Sequence, residues 1–177
     1  VGGFNLTNVN LDYRHYWRAK PFTFAAQIKH EGRYGRDAQA LFPVYLGFPW
    51  NIRGFNDREI ENILLQNEID PNILIGSKGL VSKFEVRVPF TGPKQLALIN
   101  SKFLLTELAL FSDIGVVWNT FDDFDRNLAS PGIGDTELQA FSRPLMTAGV
   151  SLRANIFGAL IVEPYYAIPV LGETRGV

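Results

Sequence analysis

Apolar and polar side chains alternate with a period of two along most of the chain, and a 3.6-residue helical period is hard to find. Val9, Leu11, Tyr13, His15 and Trp17 fall on one side of an extended segment, with Asn8, Asn10, Asp12 and Arg14 on the other. After Arg18-Ala19-Lys20-Pro21 the alternation resumes, with Phe22, Phe24, Ala26 and Ile28 against Thr23, Gln27, Lys29, Glu31 and Arg33. This pair predicts a hairpin. Further strands are predicted where Phe84, Val86, Val88 and Phe90 oppose Lys83, Glu85 and Arg87, and where Leu108, Leu110, Ile114, Val116 and Trp118 oppose Glu107, Asp113 and Gly115. A last pair joins at Phe157-Gly158. In it, Val150, Leu152 and Ala154 oppose Gly149, Ser151, Arg153 and Asn155, then Leu160, Val162, Tyr166 and Ile168 oppose Glu163, Tyr165 and Ala167. The pattern predicts an all-β chain of about six long strands.

Alternation alone fits two architectures. In a soluble sandwich or small-ligand barrel the polar face meets water, and strands average about 5 to 6 residues. In a transmembrane barrel the apolar face meets lipid, and strands run about 9 to 11 residues with aromatic belts at both interfaces. Here the strands read closer to ten residues, and aromatics stand near strand ends: Tyr16, Trp17, Phe22, Phe90, Trp118 and Phe157. Short turns alternate with long connections over 35–79 and 119–144, as in barrels with short periplasmic turns and long external loops. The stretch between Phe90 and Leu104 is intermediate, and Asn62 to Ile69 suits a short helical turn within the first long loop.

Composition narrows the function without deciding the architecture. The 177 residues fit one domain, and 46% hydrophobic residues would also build a soluble core. A formal net charge of −1 removes the general electrostatic reason to expect nucleic acid. With no cysteine there is no disulfide, thiolate nucleophile or cysteine metal site. No apolar run reaches the roughly 18 to 20 residues of a membrane helix. The opening Val1-Gly2-Gly3 has neither a signal-peptide pattern nor an initiator Met, so the chain is expected to be the interior of a longer one or to follow a removed segment.

The long connection contains Leu46-Gly47-Phe48-Pro49-Trp50-Asn51-Ile52-Arg53-Gly54-Phe55. Three later segments follow it in order. They are Lys83-Phe84-Glu85-Val86-Arg87-Val88-Pro89-Phe90, then Phe111-Ser112-Asp113-Ile114-Gly115-Val116-Val117-Trp118, then Ala148-Gly149-Val150-Ser151-Leu152-Arg153 leading to Gly158-Ala159-Leu160 and Tyr165-Tyr166-Ala167-Ile168-Pro169. Together they resemble the VRGF/IRGF loop and closing strands of the outer-membrane assembly and secretion barrel superfamily, which includes BamA-like insertases, two-partner-secretion transporters and bacterial surface antigen barrels. The residues before the motif also resemble barrels attached to TolB-like propellers.

The resemblance implies the C-terminal part of an antiparallel transmembrane β-barrel of roughly sixteen strands, covering 1–177, with the motif loop folded into the lumen. It implies a role in protein insertion, translocation or surface assembly, or alternatively an anchor for an attached propeller or enzyme domain. Expected partners are outer-membrane lipid, the missing part of the same barrel and other subunits of an outer-membrane complex. The superfamily's upstream domains and its last strand with a terminal aromatic are not found; the sequence stops at Glu173-Thr174-Arg175-Gly176-Val177. With open sheet edges such a piece is not expected to be stable alone in water.

Carried over by position, Ile52, Arg53, Gly54 and Phe55 form a lumenal latch in which Arg53 meets Asp113 and Glu85. Taken without the ordered matches, Arg53 reads as a solvated loop residue. A guanidinium withdrawn from water needs carboxylate partners, and its fork can bond one at two points. Other candidates are weaker. His15 and His30 fall on apolar faces with no acid cluster, so interface roles are expected rather than metal binding or proton transfer. Asp122, Asp123 and Asp125 do not match a calcium loop, and Gly132-Ile133-Gly134 after Pro131 lacks the strand-to-helix setting of a phosphate turn. No nucleophile, base and acid fall into a triad order, so no enzyme, metal or cofactor is expected.

Overall fold

The computed structural model describes residues 3–55, 74–95, 97–102, 104–121 and 144–169. The expectations for Asn62 to Ile69, for Asp122, Asp123 and Asp125, for Gly132 to Gly134 and for the end of the chain lie outside these residues. The described chain is all-β. Its strands are β1 (Thr7–Ala19), β2 (Phe22–Tyr34), β3 (Val44–Tyr45), β4 (Ile75–Gly76), β5 (Lys78–Gly92), β6 (Ile99–Asn100), β7 (Leu104–Trp118), β8 (Leu145–Ile156), β9 (Leu160–Val162) and β10 (Tyr165–Pro169).

One sheet carries almost everything, in the order β1-β2-β5-β7-β8-β10, with β9 also on β8 and β6 added beside β5. All its long ladders are antiparallel: β1 on β2 from Thr7↔Tyr34 to Ala19↔Phe22, then β2 on β5, β5 on β7 and β7 on β8. The sheet curls into a half-barrel. Arg14 near one edge and Tyr165 near the other line a common cleft, so the curl closes around the face that bears them.

The sixth strand departs from the sequence reading. It is broken into β9 and β10 at Glu163-Pro164, where proline cannot donate a ladder hydrogen bond. A hydrogen bond from Leu152 N–H to the Pro164 carbonyl, 3.0 Å, keeps the break attached to β8. In the turn before β9, Phe157 (φ 54°) and Gly158 (φ 73°) both take the left-handed backbone that tight hairpins require. The Phe90-to-Leu104 stretch extends β5 to Gly92 and adds β6, which pairs in parallel with Thr91 and Gly92.

Register separates two faces with opposite character. The outer face presents Val9, Leu11, Tyr13, Ile28, Phe84, Leu108, Leu110, Ile114, Val150, Leu152, Tyr166 and Ile168, all exposed although large and apolar. The inner face carries Asp113, Glu85, Lys83, Gln27, Ser151 and Arg153. The buried apolar core is also on the inside, and four of its seven residues come from the connection between β2 and β5. Leu46, Ile52, Phe55 and Leu74 pack on Val81, Val117 and Leu145 from the wall. The pairing of β3 with β4 and a hydrogen bond from Leu46 N–H to the Leu74 carbonyl, 2.9 Å, hold that connection in shape.

Gly115 shows how closely the loop lies on the wall. A Cβ built there would overlap Ile52 Cδ1 and press on Leu46 Cδ2. Gly115→Val is therefore expected to displace the 44–55 segment at a cost of about 1–3 kcal/mol, the usual range for overpacking. Limited proteolysis checks this: cleavage within 44–55 should accelerate while the strand signal in circular dichroism is kept. Equal protection in variant and wild type would contradict the packing described.

Candidate functional site

The site is built around Arg53, and its neighbours reach it from β5, from β7 and from the break between β9 and β10. A turn closed by Asn51 N–H and Ile52 N–H on the Phe48 carbonyl (2.8 and 3.1 Å) brings the segment down onto β7. Arg53 then makes a three-point attachment to Asp113. Its Nε donates to Oδ2 at 2.8 Å, its Nη2 to Oδ1 at 2.7 Å, and its backbone N–H to Oδ2 at 3.1 Å. The remaining edge of the guanidinium faces Glu85, with Nη1 2.7 Å from Oε1, and Glu163 stands 3.8 Å away. The guanidinium carbon sits 3.7 Å from the centre of the Phe111 ring, which provides a cation–π contact.

Asp113 is 0% exposed and Arg53 only 8%, so both charges have left bulk water. Burial alone weakens the charge on Arg53. The hydrogen bonds and negative charge of Asp113, with Glu85 behind them, outweigh it, and the guanidinium holds its proton more firmly than a free arginine. The network extends outward in two arms. Glu85 Oε2 accepts from Arg87 Nε at 2.7 Å, and Glu163 Oε2 accepts from Arg153 Nε and Nη2 at 2.9 and 2.7 Å.

Further contacts pin the loop. Lys83 Nζ donates to the Trp50 carbonyl at 2.8 Å, Lys29 Nζ reaches Asn51 Oδ1 at 3.5 Å, and Asn51 Nδ2 donates to the Tyr45 carbonyl at 2.9 Å. Gly54 has φ 87° and lies against Ala167 of β10, where a Cβ would meet the alanine methyl at 2.5 Å. Both its backbone and its lack of side chain are needed there. Phe55 is buried in the core beside Ile52.

Of the residues singled out in the sequence, Ile52, Arg53, Gly54, Phe55, Glu85 and Asp113 lie together in this one cluster. The aromatics are spread. Trp17 and Phe22 lie on the outer face toward the turn end of the sheet, with Trp17 stacked on Phe24 at 5.4 Å and tilted against Phe84 at 6.1 Å. Phe90 is exposed near the same end, and Phe157 is exposed in the β8–β9 turn. Trp118 is at the opposite end of the outer face and is buried by stacking on His30 at 5.8 Å. Tyr16 does not share that face. It pairs with Ala25 on the inner side, and Arg87 sits 5.8 Å from its ring centre. Its odd or even place in β1 decides this, and nearness to a strand end does not.

His15 lies between Tyr13 and Trp17 on the outer face. His30 has Nδ1 2.9 Å from the Gly79 carbonyl oxygen and Nε2 2.8 Å from Tyr34 Oη. Among the described residues no three His, Asp or Glu side chains converge to hold a metal ion. The sequence reading missed Phe111, Glu163 and Ala167 as members of the site. Phe111 carries a usable signal, since it stands two residues before Asp113 and so shares its face. Alternation puts Glu163 and Ala167 on the correct face, but nothing local marks them as meeting the loop.

No protein-family model, curated protein or solved structure matches the chain. What the arrangement can do follows from its chemistry. It holds a loop against a wall by buried charge, which is a mechanical fastening. Arg53→Glu, which places carboxylate against carboxylate, should cost about 3–5 kcal/mol, the range for breaking a buried pair. Adding Asp113→Arg to it should restore part of that loss. Urea unfolding midpoints for the two single variants and the double variant measure the coupling; strictly additive losses would contradict a direct pair.

Proposed function

We propose that this chain is the C-terminal part of an outer-membrane β-barrel of the assembly and secretion superfamily, acting in protein insertion, translocation or surface assembly, with the Arg53 loop as a latch inside its lumen. The observation that carries the reading is the inversion of the two faces. The side that holds the buried charges and the folded loop is the concave one, whereas the convex side is apolar along most of three strands of 12 to 15 residues, with Ser82 and Ser112 as small polar interruptions and Lys78 at one end. A sheet facing water on its convex side would gain nothing from Leu108, Leu110, Ile114, Val150 and Leu152 in one continuous patch. Lipid as solvent accounts for it.

The ends of the patch support the same reading. Trp118, His30, Tyr34 and Phe121 cluster where the long connections leave the sheet, and Trp17, Phe22 and Phe90 mark the end with short turns. From Lys78 to Phe90 along β5 is 90 − 78 = 12 residue steps. At about 3.4 Å per step and a tilt of about 40° this spans roughly 30 Å, close to the thickness of a bilayer's hydrocarbon core. The order of the loop motif and later strands supports the superfamily. In this reading the outer membrane is the location, and lipid and the remaining strands of the barrel are the first partners, with other subunits of an outer-membrane complex after them. Nucleic acid is not a partner.

A second role keeps the same barrel and location but assigns it only to anchoring or exporting an attached domain. The Tyr45-to-Trp50 wording before the motif favours it. Both roles need a lipid-facing convex side, and a single pair of substitutions tests that. Leu110 is 58% exposed near the middle of β7. Leu110→Arg should cost about 2–4 kcal/mol if that face meets lipid and close to nothing if it meets water. Gln27→Lys on the inner face serves as the control. Urea midpoints of the full-length protein in lipid vesicles provide the comparison. A neutral Leu110→Arg, or a monodisperse protein in detergent-free buffer, would overturn the membrane reading.

A further inference from the structure

Between the tip of the loop and the inner wall lies a cleft of about 570 Å³ that the latch does not fill. Five cations, Arg14, Arg53, Lys83, Arg87 and Arg153, line it against two carboxylates, Glu85 and Glu163. Four of the cations are already matched. Arg14 pairs with Asp12 at 2.8 Å, Arg53 with Asp113 and Glu85, Arg87 with Glu85 and Arg153 with Glu163. Lys83 is different: among the described residues it forms no ion pair, and its ammonium donates only to the neutral carbonyl of Trp50.

We propose that this cleft binds a small oxyanion, a carboxylate or a phosphate, with Lys83 as its principal contact. An ammonium has three donors, so two remain after the bond to Trp50. Both nitrogens by which Arg87 holds Glu85 reach the same oxygen, Oε2, at 2.7 and 2.6 Å. Among the described residues no hydrogen bond or ion pair engages the second terminal nitrogen of the Arg87 fork. Oxyanions suit such a pair because charge-assisted bonds to both can form on one ligand. Trp50, 66% exposed and stacked on Phe48 at 4.2 Å, forms one wall, and Tyr16 another. The charged side chains of the cleft all belong to the inner face, the loop or the β9–β10 break, and so the inference does not depend on what meets the outer face.

The test is titration of the full-length protein in detergent with inorganic phosphate and with citrate at constant ionic strength, followed by isothermal calorimetry and by tryptophan emission. Saturable binding of either anion, absent with chloride, is expected. Lys83→Gln keeps a donor for the Trp50 carbonyl while removing the charge, and should weaken affinity by about tenfold or more, the loss of one charge-assisted bond. Lys83→Arg should restore most of it. Trp50→Phe should remove most of the emission change but not the calorimetric signal. Phosphate binding without citrate, or the reverse, identifies which oxyanion the cleft takes. No saturable binding in the wild type, an equal response to chloride, or unchanged affinity in Lys83→Gln at unchanged loop protection from protease would overturn the proposal.

Discussion

A guanidinium cannot leave water without carboxylates to receive it, and much of the interior of this protein is arranged around that requirement at Arg53. Asp113 accepts three of its hydrogen bonds, one from the backbone of Arg53 itself, so the attachment sets the path of the loop as well as the place of a side chain. Once Arg53 is fixed, Ile52 must lie against β7, where a side chain at position 115 would push Ile52 aside. Gly54 must turn with positive φ against Ala167, and Phe55 enters the core with Leu46 and Leu74. The polar network and the apolar core are therefore two sides of one fastening. Removing Arg53 would leave the fully buried Asp113 without its ion-pair partner, whereas removing Asp113 would leave Arg53 with Glu85 as its close carboxylate.

The sheet and the loop depend on each other through this contact. A curled antiparallel sheet with an apolar convex side has no apolar core of its own on the concave side. The loop provides four of the seven residues of one. It also reaches β10, a strand of only five residues after a proline break, through Gly54 on Ala167, and Glu163 just before that strand through Arg53, while Tyr165 of β10 meets Phe111 of β7 edge-on at 6.2 Å. The short edge strand is thus held from inside the curl as well as by its ladder with β8. In the proposed barrel the same contacts would fix how much of the lumen stays open.

Much of this architecture is legible in the sequence because strands announce themselves by period two. The faces of β1, β2, β5 and β7 follow directly from alternation, and Asp113 and Glu85 fall on the side that meets the loop. What alternation does not carry is anything non-local. Tyr16 sits among aromatics near a strand end, yet parity turns it inward to Arg87. Glu163 joins the network only because Pro164 breaks the strand and β8 carries Arg153 beside it. Phe111 could have been found from its two-residue spacing to Asp113. The small strands β3, β4 and β6 are too short, at two residues each, to leave a periodic signal.

One buried ion pair holds the loop on the wall, and hydrogen exchange reads that attachment amide by amide. In the wild type the amides of Leu46, Ile52 and Arg53, each hydrogen-bonded in the folded loop, should exchange slowly. In Asp113→Asn all three should lose protection together while the β2–β5 and β5–β7 ladders keep theirs. Fast exchange of these amides in the wild type, or protection unchanged by Asp113→Asn, would contradict the account.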